Sequence, residues 1–130
     1  MIVLDSFAMM AYLEHEKGAD RVEHLLRDAR GSGEKLLMSV VNWGEIYYII
    51  TRERGERKAQ EVLLLIEQLP VEIVAADRQV TLKAAALKAG YSIAYADCFA
   101  AGLAMVKNGT VLTGDPEFLK ISSLVAVEWL

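Results

Sequence analysis

The sequence has few of the residues that support covalent cross-links or histidine chemistry. Cys98 is the one cysteine, so no internal disulfide can form, and a reducing, cytoplasmic setting is the simplest expectation. His15 and His24 lie among charged residues and are interpreted as surface groups. Two prolines and nine glycines leave little room for long linkers.

Long apolar runs and an excess of positive charge are also missing. The longest apolar stretch, residues 93–106, is interrupted by Asp97 and is too short to cross a bilayer. The first residues carry no basic segment, so we expect no secretory signal. A net charge of −4 argues against binding nucleic acid through the overall field. Any nucleic-acid substrate would have to be attracted locally.

The composition is that of an ordinary globular protein, with 54% hydrophobic and 25% charged residues. A chain of 130 residues fits one core, so we predict a single domain over residues 1–130. Short apolar segments alternate with segments of helical periodicity. The predicted fold class is α/β, a three-layer α/β/α sandwich with a mostly parallel five-stranded sheet.

Apolar runs, cap residues and turn residues predict the individual strands and helices. Strands are predicted at residues 1–4, 36–40, 71–75, 110–113 and 124–129. Helices are predicted at residues 6–14, 19–30, 41–54, 57–69 and 78–89, and from a cap at Ser92 to Lys107. Asp115 and Pro116 open one further short helical turn.

Two acidic residues follow predicted strands. Asp5 comes directly after the first strand, and Asp115 follows the fourth. The carboxyl ends of parallel strands line the crevice where ligands bind in open α/β sheets. Each aspartate also fits the N-cap of the helix that follows it, and the two roles are compatible.

Two further acidic residues lie in helices that are otherwise largely apolar. Glu45 has no basic residue three or four positions away that could neutralise it. Asp97 is the only charge between residues 93 and 106, in a helix of small and apolar residues. Favourable interaction with the helix dipole is worth about 0.3–1 kcal/mol, which is small beside the cost of burying an unpaired carboxylate. The positions of Glu45 and Asp97 therefore indicate a functional site rather than a structural role.

A cluster of carboxylates is repulsive unless cations neutralise it. Hard divalent ions take oxygen ligands, whereas zinc sites commonly use histidine or thiolate. Four carboxylates with no histidine or thiol beside them therefore predict Mg²⁺ or Mn²⁺.

The segments that carry these acids resemble, in order, the acidic motifs of PIN-domain nucleases, and in particular the VapC-like toxins of that family. The resemblance covers essentially the whole chain and rests on residues 2–6 (IVLDS), 41–46 (VNWGEI), 94–101 (AYADCFAA) and 112–118 (LTGDPEF). It implies that Asp5, Glu45 and Asp97 form the core of a metal site and that Asp115 is a more variable fourth ligand. Ser6 and Thr113 match hydroxyl positions beside the metals.

The resemblance also implies a function. We expect a Mg²⁺- or Mn²⁺-dependent endoribonuclease that cuts single-stranded or loop regions of RNA and leaves a 5′-phosphate. The short chain favours the toxin of a toxin–antitoxin pair, with an antitoxin protein as partner and a homodimer or higher homo-oligomer as its state. Some of the apolar residues Tyr12, Leu13, Tyr47, Tyr48 and Ile49 could provide contact surface, although core packing accounts for most of them.

A local basic cluster could attract RNA despite the negative net charge. It consists of Arg52, Arg54, Arg57 and Lys58, which follow the Glu45 helix and are mixed with Glu53 and Glu56. The same residues could equally form a solvated surface that contacts nothing.

Other functions are compatible with parts of the pattern. A PIN-like fold could bind RNA or a protein without cutting, or could process RNA without an antitoxin. A phosphatase of the haloacid-dehalogenase type would need a second aspartate where Phe7 stands. A response-regulator receiver would need an acidic pair before the first strand's aspartate, and the sequence has none.

Overall fold

The computed structural model describes residues 1–130 and contains five strands and six α-helices. The elements follow one another in this order: β1 Ile2–Leu4, α1 Ser6–Leu13, α2 Ala19–Ser32, β2 Leu36–Ser39, α3 Val40–Arg54, α4 Glu56–Glu67, β3 Val71–Val74, α5 Arg78–Gly90, α6 Tyr95–Lys107, β4 Thr110–Thr113, a 3₁₀ helix Pro116–Ile121 and β5 Ala126–Trp129. None of the helices is long and apolar enough to cross a lipid bilayer.

The strands form one fully parallel sheet in the order β3-β2-β1-β4-β5. The chain builds one half of the sheet from β1 through β2 to β3, and then crosses to the other side of β1 to add β4 and β5. The strand order therefore reverses beside β1, and such a switch point opens a crevice at the carboxyl ends of the central strands. Asp5 and Asp115 follow the two strands that border this crevice.

Two apolar cores lie on the two faces of the sheet. Val3 and Val111 face a core built with α5, α6 and the 3₁₀ helix. Leu4 and Leu112 face a second core that is completed by α1, α2, α3 and α4. Successive residues of a strand point to opposite faces, so both faces must be apolar, and the strands accordingly show continuous apolar runs. The predicted three-layer sandwich with five strands is confirmed.

The predicted helices and strands are present, and no end is shifted by more than two residues. The start of α6 differs because Ser92 does not cap it. The helix begins at Tyr95 with Ala94 as N-cap and without a side-chain cap. The preceding segment is instead held by Lys88, whose Nζ donates to the Ile93 carbonyl at 2.8 Å. Asp115 caps a 3₁₀ helix, as the short helical turn at Pro116 predicted.

Small residues let α6 pack closely against α5. Gly102 is buried in α6, and a Cβ added there would lie 3.1 Å from both the Ala84 amide nitrogen and the Val80 carbonyl oxygen. These backbone atoms cannot move aside as a side chain can. Gly44 in α3 has the opposite surroundings, since nothing lies within 4 Å of an added Cβ.

These two glycines give a paired test of the packing. Gly44→Ala should stabilise the protein by about 0.5–1 kcal/mol, because alanine is the better helix former and finds open space. Gly102→Ala should destabilise it by about 1–3 kcal/mol despite the same gain in propensity, because the added methyl overpacks the α5–α6 contact. Urea unfolding followed by circular dichroism measures both changes. Equal effects of the two substitutions would contradict the close packing of α6.

Candidate functional site

Asp5 is the most deeply buried of the four predicted carboxylates. It follows β1 in the middle of the sheet and is 1% exposed. One carboxylate oxygen accepts the Ala8 N–H at 2.8 Å and so caps α1, while the other accepts the Thr113 hydroxyl at 2.5 Å. Asp5 therefore both caps α1 and lies at the crevice beside the end of β1.

Thr113 and Asp115 continue this network at the end of β4. The buried Thr113 hydroxyl donates to Asp5 and accepts the Asp115 N–H at 3.0 Å. The Asp115 side chain caps the 3₁₀ helix by accepting the Glu117 N–H at 2.9 Å. A threonine hydroxyl has one hydrogen to donate, so its orientation is set by the carboxylate of Asp5.

Glu45 reaches the same region from α3. One of its carboxylate oxygens accepts the Ser6 hydroxyl at 2.5 Å and the side-chain amide of Asn42 at 3.4 Å. Ser6 is the first residue of α1 and directly follows Asp5. The two predicted hydroxyl residues thus each donate to a predicted carboxylate, Ser6 to Glu45 and Thr113 to Asp5.

Asn42 is a component of the site that was not predicted. It is fully buried, and its amide nitrogen also donates to the Ala96 carbonyl at 3.2 Å, which ties α3 to the first turn of α6. Its side-chain oxygen has no hydrogen-bond partner in the structure. A polar residue three positions before Glu45 in an apolar helix was the available signal, since residues three apart share a helix face.

Asp97 completes the group from the first turn of α6. It is 7% exposed, and its pKa is raised from 3.8 to about 7, first by burial and then by the charges of Asp115, Asp5 and Glu45. The pKa of Asp5 is also raised to about 7, chiefly by burial and further by the charges of Asp115 and Glu45, against the opposing hydrogen bonds. Asp97 therefore lies within range of the charges of the other three predicted carboxylates.

No protein cation compensates this cluster. None of the six salt bridges of the structure involves Asp5, Glu45, Asp97 or Asp115. As the side chains are placed, no three His, Cys, Asp or Glu groups form a complete metal-binding set. Mg²⁺ does not need one, because it is commonly bound through one or two carboxylates and keeps several waters. A donor set of carboxylates and hydroxyls, without histidine or thiolate, fits such a hard divalent ion.

The predicted basic cluster divides into residues with different environments. Arg54 forms a salt bridge with Glu14 at 2.7 Å, and Lys58 lies 3.7 Å from Glu61. Arg52 forms no salt bridge, and its guanidinium lies over the ring of Tyr48 at 5.0 Å. Arg57 is exposed on α4 and also forms no salt bridge. The four residues thus differ in their local contacts, and two of them pair with carboxylates.

Comparisons with known proteins agree with this architecture. A family model described as PIN domain matches residues 2–124. A comparison with curated proteins gives no match.

Several solved structures share the fold. VapBC2 from Rickettsia felis, bound to a promoter DNA fragment, has a TM-score of 0.75 and 20% identity, with 98% of both chains covered. VapBC-1 from nontypeable Haemophilus influenzae has a TM-score of 0.68 and 24% identity, covering 99% of this chain and 98% of the other. VapC20 from Mycobacterium tuberculosis, described as a Sarcin-Ricin loop cleaving toxin, has a TM-score of 0.67 and 14% identity over 97% of both chains.

The raised pKa values predict how the metal-free protein responds to pH. Asp5 and Asp97 bind protons more tightly in the folded chain than in the unfolded chain, so the free energy of unfolding should fall as pH rises from about 4 through about 7. The expected loss is on the order of a few kcal/mol. Urea unfolding in EDTA at a series of pH values measures it.

Asp97→Asn provides the control for this pH dependence. The variant lacks one of the two carboxyls, so it should lose less stability over the same range and should be more stable than the original protein above pH 7. Parallel pH profiles for the two proteins would show that the carboxylate cluster is not the cause.

Proposed function

Because this chain belongs to the PIN domain family of nucleases, we propose that it is a divalent-metal-dependent endoribonuclease and the toxin component of a toxin–antitoxin pair. The observation that carries the proposal is the meeting of four carboxylates, two of them almost fully buried, at a sheet crevice where no lysine or arginine neutralises them. Such a group is stable as anions only beside bound cations.

The proposal assigns each of these side chains a role that agrees with its position. Asp5, Glu45 and Asp97 would hold Mg²⁺ or Mn²⁺, with Asp115 as an additional ligand at the rim. The hydroxyls of Ser6 and Thr113 would orient the carboxylates to which they donate. A bound ion of this kind supplies a water of lowered pKa and stabilises charge on a phosphodiester. The carboxylates therefore bind and orient, and no side chain has to act as the attacking group.

RNA as substrate and an antitoxin as partner are supported by similar proteins. VapC20 of M. tuberculosis is described as cleaving the Sarcin-Ricin loop, and several solved relatives of the fold are VapBC complexes. A groove lined by apolar and polar side chains offers a surface for a protein partner; its lining residues are Tyr12, Leu13, His15, Arg30, Leu65, Gln68 and Leu69. A homodimer or higher oligomer stays a prediction.

Cleavage of RNA in vitro tests the enzymatic part. The protein should cut RNA that contains unpaired loops when Mg²⁺ or Mn²⁺ is added, and should stop in EDTA. Glu45→Gln and Asp97→Asn should lower the rate by at least about 100-fold, since removing even an outer-shell partner of a metal ligand typically costs 10–100-fold. Gel analysis of end-labelled RNA measures the rate and identifies the expected 5′-phosphate.

Asp28→Asn is the matched control, because it removes an exposed carboxylate on α2 that pairs only with His24. This variant should cut at the original rate. If Glu45→Gln and Asp97→Asn also cut at that rate, the assigned site is wrong. RNA binding without any metal-dependent cleavage would indicate a binding module.

Expression in a bacterial host tests the toxin part. The original protein should arrest growth, and Glu45→Gln should not, because only the former degrades RNA. Immunoblotting has to show equal amounts of both proteins. Unimpaired growth with active, metal-dependent enzyme in the cell extract would indicate an RNA-processing nuclease without a toxic role.

A further inference from the structure

The face of α3 that carries Glu45 continues away from the carboxylate cluster. Tyr48 and Arg52 follow Glu45 by three and seven residues, so at 3.6 residues per turn they lie within about 60° of it around the helix. At a rise of 1.5 Å per residue, Arg52 is about 10 Å further along the axis. Tyr48 is 46% exposed and Arg52 is exposed, so solvent and ligands can reach both.

The two side chains are held together by their own contact. The guanidinium of Arg52 lies 5.0 Å from the centre of the Tyr48 ring, within the range of a cation–π interaction. This contact orients the arginine without using its N–H groups. Since Arg52 forms no salt bridge, those donors are free for an anion.

The other basic residues nearby are placed differently. Arg54 lies nine residues after Glu45 and therefore about 180° around the helix, where Glu14 pairs with it. Lys58 lies beside Glu61 on α4. Arg57 has no carboxylate partner, but it also lies on α4, beyond the turn at Gly55. Arg52 is thus the only one of the four that extends the face of Glu45.

We propose that Tyr48 and Arg52 form a subsite for unpaired RNA next to the cleavage site. Arg52 binds a backbone phosphate neighbouring the one at the carboxylates, and the exposed part of the Tyr48 ring stacks with a base. A base in a duplex is already stacked and paired, so only an unpaired base can turn onto a protein ring. The proposal rests on the proposed nuclease function and adds the two residues that would hold the RNA beside the cleavage site.

Because the protein is negatively charged, this subsite should contribute measurably to its affinity for RNA. With a net charge of −4, RNA binding has to rely on local contacts. A single phosphate contact contributes about 0.7 to the slope of log affinity against log salt for a single strand, so its loss is measurable. A stacked base contributes a further factor that does not depend on salt.

Binding measurements separate the subsite from general charge. The probe is a short, fluorescently labelled single-stranded RNA in the presence of Mg²⁺, bound to protein that carries Glu45→Gln so that it is not cut. Adding Arg52→Gln should weaken binding about 5- to 10-fold and lower the salt slope by about 0.7. Adding Arg54→Gln removes the same charge two residues away and should change the dissociation constant less than about twofold, because Arg54 lies on the opposite side of α3 and pairs with Glu14.

The tyrosine is tested in the same way. Tyr48→Leu should weaken binding of single-stranded RNA by about 5-fold or more, whereas Tyr48→Phe should keep it within about twofold because the ring is retained. A duplex RNA that contains the same strand should bind equally to the Tyr48→Leu and Tyr48→Phe proteins, because its bases are not free to stack on the ring. Circular dichroism and sedimentation check that fold and oligomeric state are unchanged.

Each outcome bears on the subsite independently of the nuclease. Equal dissociation constants for the Arg52→Gln and Arg54→Gln proteins, or no effect of Tyr48→Leu, would overturn the subsite even if the enzyme cuts RNA. So would a change of oligomeric mass that accounts for the loss of binding. Selective loss with Arg52→Gln and Tyr48→Leu supports the subsite, even if metal-dependent cleavage is not found and the nuclease function fails.

Discussion

Repulsion among buried carboxylates is the constraint on which the site depends. Asp5 and Asp97 are almost fully buried, and each lies in the field of the other acids, so that both pKa values reach about 7. The surrounding groups that contact these acids are hydroxyls, amides and backbone N–H groups, which orient charge but do not cancel it. The fold therefore holds buried carboxylates close together, and a bound cation would neutralise their repulsion.

The two apolar cores allow the protein to maintain this arrangement. They lie on both faces of the sheet, while the carboxylates are gathered at its carboxyl edge, where β1 and β4 end beside the switch in strand order. Asp5 and Asp115 in addition cap the helical segments that follow them, so part of their unfavourable burial is offset by hydrogen bonds to backbone N–H groups. Asp5 and Asp115 thus serve both as helix caps and as members of the candidate site.

Most of the fold and the four acids could be predicted from the sequence, because each leaves a local signal. Continuous apolar runs mark strands buried on both faces, and Asp97 stands out as the only charge in an apolar segment. Asn42 left a weak signal, since its partner Ala96 is 54 residues away and only the packing of α3 on α6 joins them. The predicted start of α6 is wrong because serine is a favoured cap residue, whereas the chain before the helix is held by Lys88, which donates to the Ile93 carbonyl.

The contacts of each basic residue could likewise not be predicted from the sequence. Four cations within seven residues predict one positive patch. Arg54 instead pairs with Glu14, which directly follows α1, and that pairing depends on how α1 packs on α3. Helix α3 thereby presents a carboxylate and a free guanidinium on the same face, two turns apart. In the proposed complex, a rigid helix would fix the distance between the phosphate that Arg52 holds and the phosphate at the carboxylates. Selectivity for an extended, unpaired strand would then follow from helix geometry, without any contact that reads a base sequence.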